Sequence, residues 1–256
     1  MAKENLQSVE RTFKIIELMA NRGAIGVREI AGETGLHSTV VHRILRTLLE
    51  LGYTDKQKET EKYILTYKML AVGSSILERN GVVQLVHPYL VELSKECKET
   101  VHFVERVGAN IRYIDKVTPT ANIFATGSHV GLEFPLAQTA VGKAILAKLT
   151  DEEIKKIWAV SHIVKYTPNT ICDLDKLLSE LNETRETGFA YDNEEREVGL
   201  FCVGVSVPDY RGIYSYGISI SAPMARMQED SLKEVRECLW YTKEKVSAII
   251  GKYDKI

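Results

Sequence analysis

Two histidines and two arginines, with no acidic residue among them, stand in GLHSTVVHRILRTL, residues 35–48. Histidine pairs hold metals; arginines hold phosphates or the edges of guanines. The metal reading fails on spacing. His37 and His42 lie five positions apart, which on a helix turns them about 140° from one another, whereas zinc-binding helices set their histidines four apart on one face. The charge reading gains from the same wheel. His42, Thr39, Arg43, Arg46 and Glu50 fall within a sector of roughly 100°, and Val41, Ile44, Leu45, Leu48 and Leu51 fill the opposite one.

The preceding residues give this helix a partner. Ala31 is small where two helices must cross closely. Gly35 follows four residues later, where a tight turn needs positive φ, and Val41 and Ile44 then fall at buried positions of the second helix. This is the spacing of a helix-turn-helix. Ser38 is the expected cap of the second helix, which should run to Gly52. Its exposed Ser38, Thr39, His42, Arg43 and Arg46 suit a DNA major groove, with hydroxyls and free N–H groups on phosphate and arginines on guanine or phosphate. The segment YTDKQKETEKYILT reads as strand, polar turn, strand, a wing whose Lys56, Lys58 and Lys62 would touch the neighbouring backbone. The plain alternative, an amphipathic helix with a solvated face, explains neither the turn spacing nor the basic wing.

The whole chain accommodates these elements. Its 256 residues are 45% hydrophobic, with a mean hydropathy of -0.13, enough for real cores and unlike a disordered chain. No apolar run approaches the ~20 residues of a membrane helix, and MAKENLQSVER lacks the apolar centre of a signal peptide. Four dispersed cysteines argue against a zinc cluster or a disulfide framework, so a reducing cytoplasm is expected. The formal net charge of -2 excludes wholesale nucleic-acid coating but not a local basic face.

The pattern changes near residue 80. Before it, Ser8 is the expected cap of a first helix bearing Val9, Phe13 and Ile16 on one side. YKMLAVGSSILERNG reads as a connecting helix ending at Gly81. The expected organisation is a DNA-binding domain over 1–66, a linker helix over 67–81 and a second domain over 82–256. That second domain mixes an amphipathic helix (HPYLVELSKECKET), a hairpin turning at Gly108–Asn110 and a helix capped by Thr139. A further helix is ended by Gly188, a second hairpin turns at Pro208–Gly212, and a last helix runs from about Ser231 to Gly251. Such a mixture makes an α+β domain with an antiparallel sheet. Trp158 and Trp240 are expected in its core.

The second hairpin has two unlike faces. Phe201, Val203, Val205 and Val207 align with Tyr214, Tyr216, Ile218 and Ile220. Leu200, Cys202, Gly204 and Ser206 align with Ser215, Gly217, Ser219 and Ser221. The small face is either the floor of a ligand pocket or a surface pressed against solvent or a helix. DNEERE (192–197) is either a solvated loop or the source of a carboxylate in such a pocket. The helix start in TAVGKA has free N–H groups that suit a carboxylate, though it is not a P-loop. Cys202 as a nucleophile with His102 or His129 would make the domain an enzyme, but nothing local supports that pairing. A third reading keeps the ligand pocket and gives the helix-turn-helix only protein contacts.

Four stretches in this order, SVERTFKIIELMA, VREIAGETGLHSTVVHRILRTLLELGY, QTAVGKAILA and DNEEREVGLFCVGVSVPDYRGIYSYGISISAP, resemble the IclR family of bacterial transcriptional regulators. The resemblance spans nearly the whole chain. It implies a winged helix-turn-helix, a linker helix and a GAF-like effector domain, in a homodimer that pairs into a dimer of dimers. It implies operator DNA and a small organic acid as partners, no metal, no cofactor and no enzymatic activity. Matched by motif, the effector contacts fall on Asp192, Cys202, Ser219 and Ser221 and on the backbone of Ala140 and Val141, where the family often carries glycine. Ile123, Phe124, Leu132 and Phe134 are the expected apolar walls. The ligand expected first is an acid of the 2-keto-3-deoxygluconate type, and the expected role is repression of a catabolic operon.

Overall fold

A computed structural model describes residues 6–72, 81–119 and 127–253. The chain divides into two compact units, Met1–Asn80 and Gly81–Ile256.

In the first unit, helices α1 (Gln7–Arg22), α2 (Val27–Thr34) and α3 (Ser38–Glu50) precede a hairpin of β1 (Thr54–Lys56) and β2 (Tyr63–Leu65). Ile15, Met19, Ile30, Val41, Leu45 and Tyr63 share one core. Gly35 ends α2 in the left-handed region (φ 71°) and donates its N–H to the Ala31 carbonyl at 3.0 Å, as the turn requires. Tyr63 ties the wing to the body through reciprocal backbone hydrogen bonds with Ile25 of 2.9 and 3.1 Å.

Several local expectations fail here. Ser8 does not cap α1, which already begins at Gln7 after Leu6. Ser38 is the first residue of α3; His37 holds the cap position without a side-chain bond. Val9 and Phe13 are 48% and 57% exposed, because Ile15 and Met19 supply the buried stripe of α1. Periodicity finds apolar stripes but does not say which one faces the core when a helix carries two. Leu51 lies past the end of α3 and is exposed. Residues 67–72 are helical and 73–80 of the expected linker lie outside the described residues. Gly81 does not end a helix: it is helical and the first described residue of α4 (Gly81–Cys97).

The second unit is built on a six-stranded antiparallel sheet of order β5-β4-β3-β8-β7-β6. The strands are β3 (Thr100–Val107), β4 (Asn110–Val117), β5 (Glu133–Pro135), β6 (Ala190–Asn193), β7 (Leu200–Val207) and β8 (Tyr216–Pro223). The bulky face of the β7–β8 hairpin enters a core with Leu90 and Leu93 of α4 and Leu239 and Val246 of α8 (Glu229–Tyr253). A second core takes Val141 and Ile145 of α5 (Ala140–Leu146), Ile154 of α6 (Asp151–Val160) and Leu177 and Leu181 of α7 (Leu174–Thr187). The result is the α+β arrangement that the alternating patterns imply.

Tyr214 and Ser215 precede β8 rather than belonging to it. Asp209 gathers that longer connection by accepting from the N–H groups of Arg211 (2.9 Å) and Ile213 (3.0 Å) and from the Ser215 hydroxyl (3.2 Å). Trp158 is partly buried, but Trp240 is exposed beside Lys243 and Phe189. Gly188, at φ 80°, makes room for that indole: a Cβ there would lie 2.7 Å from the ring.

Candidate functional site

The residues of α3 expected to face a groove are exposed as a group: Ser38, Thr39, His42, Arg43 and Arg46 all point away from the core. The His37 ring lies 3.1 Å from the Thr39 hydroxyl, in line with its place in the turn. Arg46 pairs with Glu50 at 2.9 Å, one turn along the same face. That pair is exposed and therefore weak, so a phosphate can replace the carboxylate at little cost. On the wing, Lys58 is exposed, Lys56 pairs with Glu61, and Lys62 pairs with Glu29 at 3.2 Å. Glu29 also accepts from the Gly26 N–H at 2.7 Å. Lys62 thus braces the wing against the start of α2, a restraint that its position in sequence does not reveal.

The small face of the β7–β8 hairpin divides between a helix contact and the lining of a cavity. Gly204 and Gly217 lie under α5. A Cβ on Gly204 would come within 2.5 Å of the Val141 nitrogen and 2.7 Å of the Ala140 carbonyl carbon, and one on Gly217 would strike the Val141 side chain. These glycines let the first turn of α5 rest on the sheet. Further along, Cys202, Ser219 and Ser221 line a cavity of about 210 Å³. Register explains the grouping: Cys202 pairs across the sheet with Ser221 and Asp192, and Ser219 with His102.

Asp192, Ala140 and Val141 line the same cavity, so all six residues matched to effector contacts meet around one space. The Gly142 N–H donates to the Thr139 hydroxyl (3.1 Å) and the Lys143 N–H to the Thr139 carbonyl (2.9 Å). Helix geometry leaves the N–H groups of Ala140 and Val141 without an intrahelical acceptor. Asp192 is buried and accepts from the Glu195 N–H at 2.8 Å; burial still raises its pKa above the usual carboxylate value. Phe134 is a wall of the cavity. Leu132 packs instead against the second core, and Ile123 and Phe124 lie outside the described residues.

Three residues gain a role that their sequence context did not give them. Lys143, 1% exposed, donates to Glu195 at 2.5 Å and Glu180 at 2.7 Å. Burial alone would lower its pKa, but the two carboxylates outweigh burial and raise it, so it stays charged. This pairing pins the 192–197 loop to α5. Arg196 and His102 also line the cavity. The signal for Arg196 was faint: it is the one basic residue in DNEERE.

The nucleophile reading of Cys202 is not supported by its surroundings. Its sulfur lies 3.0 Å from the Ser221 hydroxyl, and burial, with Asp192 nearby, pushes the thiol well above its ordinary range. His102 bonds Ser128 at 2.7 Å and His129 is exposed. A reactive cysteine needs the opposite surroundings, with a base or positive charge that favours thiolate.

Comparison with known proteins gives the family. Residues 8–58 match the IclR helix-turn-helix domain, and residues 74–248 match the bacterial transcriptional regulator IclR C-terminal domain. The HTH-type transcriptional regulator KdgR of Escherichia coli (strain K12) is 34% identical over 251 residues, spanning 98% of this chain and 95% of that protein. The DNA-binding transcriptional repressor YiaJ of the same organism is 31% identical over 249 residues, spanning 96% and 88%. The crystal structure of the Thermotoga maritima IclR superposes with a TM-score of 0.80 at 32% identity, over 96% of this chain and 100% of that one. These relatives are transcriptional regulators rather than enzymes, and the chain belongs to the IclR family of bacterial transcriptional regulators.

Proposed function

We propose that this protein represses a catabolic operon and that a small keto or sugar acid in the second unit sets its affinity for the operator. The carrying observation is convergence. Residues from β6, β7, β8 and the start of α5 meet around one cavity that combines N–H donors, hydroxyls and a carboxylate. In this reading the N–H groups of Ala140 and Val141 face the ligand's carboxylate, and Asp192, Cys202, Ser219 and Ser221 face its hydroxyl or keto oxygens. A polar floor beside the Phe134 wall favours a short, oxygen-rich acid over an aromatic one, and 2-keto-3-deoxygluconate is the first to test. Ser38, Thr39, His42, Arg43 and Arg46 read or grip the major groove, while Lys56, Lys58 and Lys62 hold adjacent phosphates.

Repression is favoured by the relatives described as repressors, YiaJ among them. A homodimer, itself pairing into a dimer of dimers, fits the exposed apolar residues Leu6 before α1, Val9 and Phe13 on it, and Tyr67, Leu70 and Val72 beyond the wing. The protein would work in the cytoplasm, on chromosomal DNA. A thermal-shift screen of small carboxylic acids tests the effector assignment. A ligand at 100 times its dissociation constant should stabilise the protein by about 2.7 kcal/mol, and Ser219→Ala should reduce the shift. An equal shift in both proteins would remove the β8 floor from the site.

A further inference from the structure

Two buried nitrogen atoms at the wall of the cavity have no hydrogen-bond partner among the described residues: Nη1 of Arg196 and Nδ1 of His102. Such groups are rare in folded proteins, because an unsatisfied buried donor forfeits its hydration without return, and a charged one forfeits most. The guanidinium of Arg196 rests on aromatic rings instead of a carboxylate, 3.2 Å from the centre of Phe134 and 4.8 Å from that of Tyr166. Asp192, four residues earlier, turns its carboxylate back onto the Glu195 N–H. Glu195 itself is taken by Lys143. Asp192 and Glu195 thus have partners of their own, while Arg196 and the Glu197 carboxylate of the same loop both line the cavity, Arg196 as the loop's one cation.

His102 makes an independent case. It is 2% exposed, its Nε2 is 2.7 Å from the Ser128 hydroxyl, and its ring meets Tyr113 edge-on. The ring is uncharged, since burial and the nearby Lys116 push its pKa down to about 3. A neutral imidazole offers Nδ1 as donor or acceptor, according to which way Ser128 bonds the other nitrogen.

We infer that Arg196 is the anion anchor of this cavity: its guanidinium takes the carboxylate of a hydroxy- or keto-acid, while His102 Nδ1 takes a hydroxyl or keto oxygen of the same molecule. This rests on the reading of the cavity as an acid site and adds a charge requirement to it. Backbone N–H groups of α5 orient a carboxylate but carry only partial charge; Arg196 supplies a full one. The Phe134 and Tyr166 rings hold the guanidinium in place, and its Nη1 is left for the ligand's carboxylate.

The test uses the full chain and pairs of probes: lactate with lactamide, pyruvate with pyruvamide, and 2-keto-3-deoxygluconate with its amide. Calorimetry should show the wild type binding an acid about 10- to 100-fold more tightly than its amide, the scale of a charged hydrogen bond. Arg196→Gln should erase that preference, Arg196→Lys should restore part of it, and Ser219→Ala should weaken acid and amide alike. The ratio is read within each variant, so a change in the stability of Arg196→Gln does not obscure it. An undiminished preference in Arg196→Gln, with Ser219→Ala impaired, overturns the role of Arg196 alone. Failure of every acid to bind the wild type, or indifference of binding to Ser219→Ala, overturns the acid-site reading and this inference with it.

Discussion

The face of α3 and the cavity of the second unit are both polar, yet they are held in opposite ways. Every α3 residue assigned to DNA is exposed, and its one ion pair, Arg46–Glu50, is exposed at both ends. In the cavity Asp192, Ser219, Ser221 and His102 are at most 5% exposed, and neighbouring Lys143 is 1% exposed. Charges on the first surface are screened by water and salt, so they act additively and the fold does not depend on them. Charges in the second region have lost their water, so leaving one without a partner is costly, and the bonds that pair Lys143 both hold the fold and shape the site. Mutations should therefore separate binding from stability on α3 and confound them around the cavity.

The sharpest break in that contrast is Lys143→Met. It leaves Glu195 buried without its cation and should cost on the order of 3–5 kcal/mol. Urea unfolding of the full chain measures this, and Lys143→Met combined with Glu195→Gln should recover much of the loss. A single variant as stable as the wild type would show that the pair holds nothing.

His102 gives a smaller effect with a definite sign. Folded, it resists protonation down to about pH 3; unfolded, it titrates near 6.5. Between these values the unfolded chain binds one more proton, so the His102 contribution is complete above pH 6.5 and declines as pH falls, by on the order of a few kcal/mol in total. The stability of His102→Gln should depend less steeply on pH over that window; parallel curves would contradict the burial argument.

Arg43→Ala should cost about 1–3 kcal/mol of operator affinity and leave the unfolding midpoint unmoved, because the side chain is exposed. Titration of operator DNA into each protein provides the first number and a denaturant curve the second. Loss of stability without loss of affinity would place Arg43 in the fold instead of the groove.

The same contrast governs what the sequence reveals. Gly35, Val41 and Ile44 are legible because a positive-φ turn and a helical face are local constraints, satisfied within ten residues. Alternation along β7 and β8 shows the unlike faces for the same reason. Lys143 is opaque: its partners lie 37 and 52 residues away, and nothing beside it distinguishes a buried lysine from an exposed one. Arg196 sits in a charge run that reads as solvated, and only the fold of the 192–197 loop turns it inward. Sequence periodicity shows Val9 and Phe13 as an apolar stripe but not that they are exposed, since it cannot rank two stripes on one helix.

The central claim is that occupancy of the cavity changes the grip of α3 on DNA. Coupling of this kind is typically worth ~1–3 kcal/mol. The direct measurement is operator affinity of the full chain with and without a saturating acid, for the wild type and for Ser219→Ala at the same acid concentration. The wild type should change about 5- to 150-fold and Ser219→Ala much less, with equal affinities for both without acid. An identical response in the two proteins would contradict the claim.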